Sequence, residues 1–332
     1  MAISIIIKTL NEEVRIASAI ESACQAIAAI GGEVIVADSG SNDRTVAIAT
    51  TYPITVVQIA TAEQASCGIG PQLGFQYSRN DFICLMDGDM VMDEGFIPEA
   101  LAFLEAHPEA AGVTGHVEEM NVVNLEFTRR VQRVAPENRI GTIDRMNGGG
   151  LYRRAAILES GYFSDRNLHG YEEFDLGIRL RASNWTLHRM DRRFVSHYGH
   201  AINAYNLLVR RWKSRYLRGV GELLRAALGR PIWRHLVDEL PELRLWFGVY
   251  VWFGIMVAMP FVTPNAIQGL LVDLGLVAFV VMAMSIKQRS LALGAYAVTA
   301  WFFHAAALPL GFFQRRRPPE GWIESRVLSR AP

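Results

Sequence analysis

The chain has 332 residues, enough for one full α/β domain and a smaller attachment, and 51% of them are apolar. Its 33 Lys and Arg balance 33 Asp and Glu, and a net charge of zero argues against a general nucleic-acid binder. Cys24, Cys67 and Cys84 stand apart with no C-x-x-C pair, which excludes a disulfide framework or a zinc site and fits a reducing compartment.

Residues 4–7 form a short β-branched run that reads as a buried strand. The run is too short for a signal peptide, so the first domain is expected to stay in the cytoplasm. From Asn11 onward, Val14, Ile16, Ala17, Ile20 and Ala23 recur at helical spacing. Residues 33–37 give a second strand, 43–52 a helix, 54–59 a strand, 71–78 a helix and 82–86 a strand. Strands alternating with helices predict a mostly parallel sheet covered on both faces. Polar residues gather just past the C-terminal ends of these strands, where open α/β sheets bind ligands. Residues 96–106 and 171–182 read as further helices and 111–118 as a further strand, and 195–200 closes the soluble region. The stretch 120–147 is polar and carries no clear period, and 146–153 is rich in glycine.

Beyond residue 202 the pattern changes. Leu208, Trp212, Tyr216, Val220, Leu224 and Leu228 recur every four residues with Arg210, Arg211, Lys213, Arg215, Arg218 and Arg225 between them. That is the pattern of an interfacial amphipathic helix beside anionic headgroups or a lipid phosphate. A helix packed on the protein's own core is the alternative. Residues 245–263 carry no charge, 266–286 carry only Asp273, and 291–313 only His304, so each is long enough to cross a bilayer. The apolar excess of the whole chain lies here. Lys287 and Arg289 suit the cytoplasmic side; Arg315, Arg316 and Arg317 would break the positive-inside rule after three full spans, unless the third re-enters at Pro309 or the short tail overrides the bias. The expected division is therefore a catalytic domain over 1–202, a basic amphipathic region over 203–240, two to three membrane helices over 241–314, and a basic tail over 315–332.

Asp87-Gly88-Asp89 ends a hydrophobic strand, and two carboxylates around a glycine can hold Mg²⁺ or Mn²⁺ while the metal bridges a diphosphate. Alone the triplet is also an ordinary turn. Asp38, after the second strand, can accept from the NH of a nucleobase, and Asn11 and Glu12 can reach base or ribose. Asn42 and Asp43 serve either a ligand or the cap of the next helix. Gly68, Gly70 and Gly74 allow close backbone approach or simply a turn. His197 and His200 offer a further metal or diphosphate contact, or a hydrogen-bonded pair.

The ordered set of motifs resembles family 2 glycosyltransferases of the GT-A fold. The matching pieces are Ser4 to Glu12, Asp38-Ser39-Gly40-Ser41-Asn42-Asp43-Arg44-Thr45, Asp87-Gly88-Asp89, Gly148 to Arg154, Gly161-Tyr162-Phe163 and Glu172-Glu173-Phe174-Asp175-Leu176. The resemblance spans roughly the first 200 residues. It implies a nucleotide-sugar donor, a divalent metal and an inverting displacement. Carried over, Thr9, Asn11, Glu12, Asp38, Ser39, Gly68, Asp87 and Gly149 would bind the nucleotide sugar. Asp89 would be the principal metal ligand, with Asp87 and His197 beside it. Gly150 and Tyr152 would floor the acceptor site, and Arg210, Arg211 and Trp212 would meet lipid. Glu173 stands where the family places its base, usually an aspartate, and Glu172 and Asp175 share the candidacy. Lys8 replaces the family's usual proline, and Leu208 stands where processive synthases carry a glutamine.

The leading expectation is transfer of a hexose-type unit from a UDP- or GDP-sugar to a lipid-linked saccharide or glycolipid, at the cytoplasmic face of the inner membrane, in bacterial polysaccharide or envelope assembly. Transfer to polyprenyl phosphate, whose anionic oxygen needs no base, is a second expectation. A catalytically inactive membrane scaffold is the third, disfavoured by the intact acids.

Overall fold

The computed structural model describes residues 2–121, 138–199, 203–240 and 242–331. The chain divides into two compact units. One holds the N-terminal region together with residues 315–332, the other residues 202–314.

The first unit is built on a mixed sheet. Its strands are β1 (Ile3–Thr9), β2 (Gly32–Asp38), β3 (Thr55–Ile59), β4 (Phe82–Asp87), β5 (Met90–Met92), β6 (Ala110–Glu119), β7 (Gly141–Ile143), β8 (Gly150–Arg153), β9 (Thr186–His197) and β10 (Ser325–Ser329). Their order is β10-β3-β2-β1-β4-β8-β6-β9-β5, with β7 also on β9. β1 lies between β2 and β4 and is parallel to both. Ile3, Ile5, Ile6 and Ile7 are completely buried, because a parallel strand has helices over both faces. Ile5 and Ile7 point to one face, with Ile16, Ile20 and Phe96. Ile6 points to the other, with Ile69, Leu73, Phe163 and Leu176. Each such side chain stabilises the fold by about 2 kcal/mol. The helices supplying these layers are α1 (Ile16–Ile27), α2 (Thr45–Ala49), α3 (Ile69–Tyr77), α4 (Phe96–Ala106), α5 (Arg154–Glu159) and α6 (Glu172–Ala182). The register sets the ends of three strands level, pairing Thr9 with Asp38 and Lys8 with Asp87. The expected α/β fold is what the structure has, but the sheet expected to be mostly parallel is mixed: β1 to β4 pair in parallel and so do β6 and β9, while β5, β7, β8 and β10 pair antiparallel.

The segment expected as a basic tail is part of this unit. β10 pairs antiparallel with β3, Ile323 is fully buried in the core, and Gln76 exchanges two hydrogen bonds with the Ile323 backbone. Arg316 pairs with the buried Asp165, and the Arg317 amide donates to Asn167 Oδ1 at 2.7 Å.

In the second unit the four-residue stripe from 208 to 228 is present but is not one helix. α7 (Ala204–Lys213) ends before Arg215, which adopts the left-handed conformation at φ 65°. The chain then resumes as α8 (Gly219–Ala227). Leu208, Leu217 and Val220 are buried. Tyr205 and Trp212 meet Tyr296 and Phe303 edge-on. After α9 (Trp233–Glu239) come three helices long and apolar enough to cross a membrane, α10 (Glu242–Val262), α11 (Ala266–Gln288) and α12 (Leu291–Phe312). Asn265 and Ser290 cap the last two. α12 continues through Pro309 without a break. α8 lies close against it, since a Cβ on Gly221 would sit 1.9 Å from the Leu308 carbonyl oxygen.

Candidate active site

The level ends of β1, β2 and β4 gather the first group of side chains. Asp87 is the last residue of β4 and Asp89 lies in the turn to β5. Gly88 between them donates its amide to the Lys8 carbonyl at 2.9 Å, and a Cβ there would press on Thr9. The two acids diverge to different partners. Asp87 Oδ1 lies 3.2 Å from Lys8 Nζ, which also lies 3.3 Å from Glu172 Oε1. Asp89 Oδ2 faces His197 Nε2 at 3.2 Å, while His197 Nδ1 faces Glu119 at 2.5 Å. β9 makes this second arrangement, because it lies between β5 and β6 and sets His197 opposite both Met90 and Glu119.

Electrostatics follow from this placement. Burial opposes the charge on His197, but the carboxylates of Asp89 and Glu119 outweigh it and push the ring up to about 10. Burial likewise opposes the Lys8 charge, yet Asp87, Glu172 and Glu173 hold the ammonium well above its ordinary value. Burial raises Asp87, against the pull of Lys8. Glu173 is half-buried and accepts from the Gly148 amide at 2.8 Å. Burial, with the charges of Glu172 and Asp87, raises it to about 7 despite Lys8 and that hydrogen bond. The glycine run that supplies the donor is required here. Gly149 has φ 93°, and a Cβ on it would lie 2.1 Å from the Leu85 carbonyl oxygen.

Several expected residues are occupied otherwise. Asp175 is buried and paired with Arg179 Nε at 2.8 Å, and Arg179 stacks on Tyr162 at 3.8 Å and donates to its carbonyl at 2.6 Å. Asp175 therefore braces α6 and does not face the Asp87 group. Tyr152 is a core residue, packed edge-on against Phe163 at 5.3 Å. Gly150 is buried and pairs with Leu85 across the sheet. Asp38 is fully buried and accepts from the Gly40 and Ser41 amides, the Ser41 hydroxyl and Gln58. In this arrangement the carboxylate is held by its own loop and by Gln58 on β3. Ser39 donates its amide to the Thr9 carbonyl at 2.9 Å. The Gly68 amide is taken by Leu168, and a Cβ there would meet the Asp165 carbonyl, so Gly68 serves close packing. Asn11 adopts φ 59°, with its amide on Ser41 Oγ and its Oδ1 on the Asn42 amide. The Glu12 amide donates to Thr45, and Asp43 accepts from Thr45 and Glu13. The Thr9 hydroxyl is buried without a hydrogen-bond partner. His200 lies outside the described residues. Arg210 and Trp212 are exposed on α7 of the second unit, and Arg211 is half-buried with its guanidinium over the Tyr216 ring.

Glu119 was not foreseen. The strand signal stopped one residue before it, and only the register of β6 on β9 reveals the contact. Among the described residues no three His, Cys, Asp or Glu side chains form a ready metal cage. A divalent ion held by one or two side chains and completed by phosphate oxygens and water needs no such cage. Asp89 with His197 fits that requirement, with Glu119 behind the ring as carboxylate support for a metal-bound histidine.

Residues 4–159 match the model of Glycosyl transferase family 2. No curated protein matches the chain by sequence. Among solved structures the chain is similar to the mannosyltransferase PcManGT from Pyrobaculum calidifontis, in complex with GDP-Man and Mn²⁺. Identity is 16% and the TM-score 0.60, over 94% of this chain and 87% of that one. It is similar also to residues 1–349 of S. aureus TarS, at 14% identity and TM-score 0.51, over 93% and 90% of the two chains. Against a longer form of TarS, at 16% identity and TM-score 0.49, the match covers 69% of this chain but 44% of that one, less than half its length. At these identities the likeness is one of fold. The GT-A fold and the resemblance to family 2 glycosyltransferases are thereby borne out.

Proposed function

We propose that this protein is a metal-dependent inverting glycosyltransferase that moves a hexose-type unit from a UDP- or GDP-sugar to a lipid-linked saccharide or glycolipid. The catalytic unit works on the cytoplasmic side of the inner membrane, in polysaccharide or envelope assembly. The observation that carries the reading is the joint presence, in the unit matching the family, of the Asp89–His197–Glu119 group and of Glu173 with a value near neutrality. Asp89 and His197 would hold Mg²⁺ or Mn²⁺, with Glu119 fixing the ring. The ion supplies charge neutralisation for the departing nucleoside diphosphate.

The chain's own residues do the rest. Glu173, oriented by the Gly148 amide, takes the proton of the acceptor hydroxyl as its oxygen attacks the anomeric carbon opposite the departing diphosphate. Burial raises its basicity into the useful range without another cation having to leave. Support for a lipid acceptor comes from the three apolar helices and from the exposed Arg210 on α7.

The test is turnover by the purified protein in detergent with bacterial lipid extract, Mn²⁺ and a panel of UDP- and GDP-sugars. We expect metal-dependent conversion of one donor into a lipid-soluble product, lost in Asp89→Ala and Glu173→Gln. Activity surviving in Glu173→Gln would favour an acceptor that is already anionic, such as polyprenyl phosphate. No nucleotide binding and no turnover with any donor would leave the scaffold.

A further inference from the structure

Lys8 is the one departure from the family pattern that stands inside the acidic group, and no role above uses it. Its position is built. It is the penultimate residue of β1, placed by register beside Asp87. Its side chain is largely buried and passes beneath the start of α3, where a Cβ on Gly70 would come within 3.0 Å of the Lys8 Cβ. From there the ammonium reaches 3.2 Å from Asp87 and 3.3 Å from Glu172, two acids 85 residues apart in sequence on different elements. A proline, the family's usual residue here, could do none of this. The two carboxylates of the Asp-Gly-Asp turn therefore sit in two separate groups, Asp87 with Lys8 and Glu172, Asp89 with His197 and Glu119.

We propose that Lys8 is a positioning residue that clamps Asp87 to Glu172, keeping Asp87 off the divalent metal and leaving Asp89 as the principal carboxylate that holds it. This rests on the transferase reading of the site. Its consequence is unusual in sign. Lys8 is a fixed positive charge beside a cation site, so it weakens metal binding while improving the arrangement of the donor. Neutralising it removes the repulsion and frees a second carboxylate. Metal affinity should rise as turnover falls, a pairing that general damage to the fold does not produce.

The measurement is equilibrium Mn²⁺ binding by electron paramagnetic resonance on the full chain in detergent, with UDP or GDP present, alongside steady-state kinetics. Lys8→Met should bind Mn²⁺ about tenfold more tightly, the order expected when a unit positive charge neighbouring a divalent-ion site is removed, and its kcat should fall with little change in acceptor KM. Lys8→Gln repeats the neutralisation should the methionine variant not fold. Lys8→Arg keeps the charge and should restore wild-type Mn²⁺ affinity. Glu172→Gln, which removes a negative charge from the other end of the clamp, should move affinity the opposite way. Unchanged or weaker Mn²⁺ binding in both neutral variants, with a wild type that binds Mn²⁺ normally, would overturn the role of Lys8 alone. A wild type that binds no Mn²⁺ with either nucleotide would overturn the metal reading of the site, and this inference with it.

Discussion

Several opposed causes meet on the Glu173 carboxyl, and its behaviour with pH follows from them. Burial and the neighbouring Glu172 and Asp87 charges raise it to about 7, while Lys8 and the Gly148 amide hold it from going higher. A base must be ionised to act, so transfer should rise about tenfold per pH unit below 7 and level off above it. Glu173→Gln should lower kcat by roughly 10²–10⁴ and abolish that limb. A pH–rate profile in wild type and variant decides it, and a limb that persists in Glu173→Gln would assign the titration elsewhere. The same shift makes stability fall as pH rises. The fold binds this proton more tightly than the unfolded chain, whose glutamate titrates near 4.5, so the contribution is full below that pH and is lost as pH rises through about 7. Asp87, Asp89 and Glu173 were legible in the sequence because each sits in a short motif at an element's edge. The partners Lys8, Glu119 and the Gly148 amide were not, since they are set by strand register and not by spacing along the chain. Asp38 and Asp175 show the converse. Both stand in the right motif, yet Asp38 is held by its own loop and Gln58, and Asp175 is paired with Arg179 of its own helix.

At the scale of elements, α6 carries the candidate base and is anchored by one buried ion pair. Arg179 binds Asp175 and the Tyr162 and Phe163 carbonyls, so it ties the helix to the segment before it. Removing one partner of a buried pair costs about 3–5 kcal/mol, because the other charge is left without compensation. Arg179→Ala should therefore lower the melting temperature by roughly 10 °C. Arg179→Met combined with Asp175→Asn should recover part of the loss, since no charge is then stranded. A single variant that melts with the wild type would show that the pair is not what holds α6. The apolar strands β1 to β4 and helices α3 and α4 were read nearly to their ends, because parallel strands buried on both faces are continuous apolar runs. β5, β7, β8 and β10 were not. They are three to five residues long, and β8 hides behind the glycine run. Their pairing is antiparallel to distant strands, which no local period announces.

For the whole molecule, the sequence invites a cut at residue 202, where the soluble pattern ends and the basic and apolar stretches begin. The fold answers differently, since residues 315–332 return to the first unit as a strand. Ile323 alone, fully buried, contributes about 2–3 kcal/mol, and β10 also covers the β3 edge that would otherwise stand open to pairing with other chains. A chain ended at residue 202 should thus melt below the same chain carrying 315–332 on a flexible Gly/Ser linker, and should aggregate first on heating. Differential scanning fluorimetry with light scattering on the two forms measures both. Equal melting and equal solubility would mean that the returning strand is an ornament on a unit complete without it. A gap of several degrees would mean that the three apolar helices are an excursion between two parts of one domain, so that whatever holds those helices also tethers both ends of the first unit.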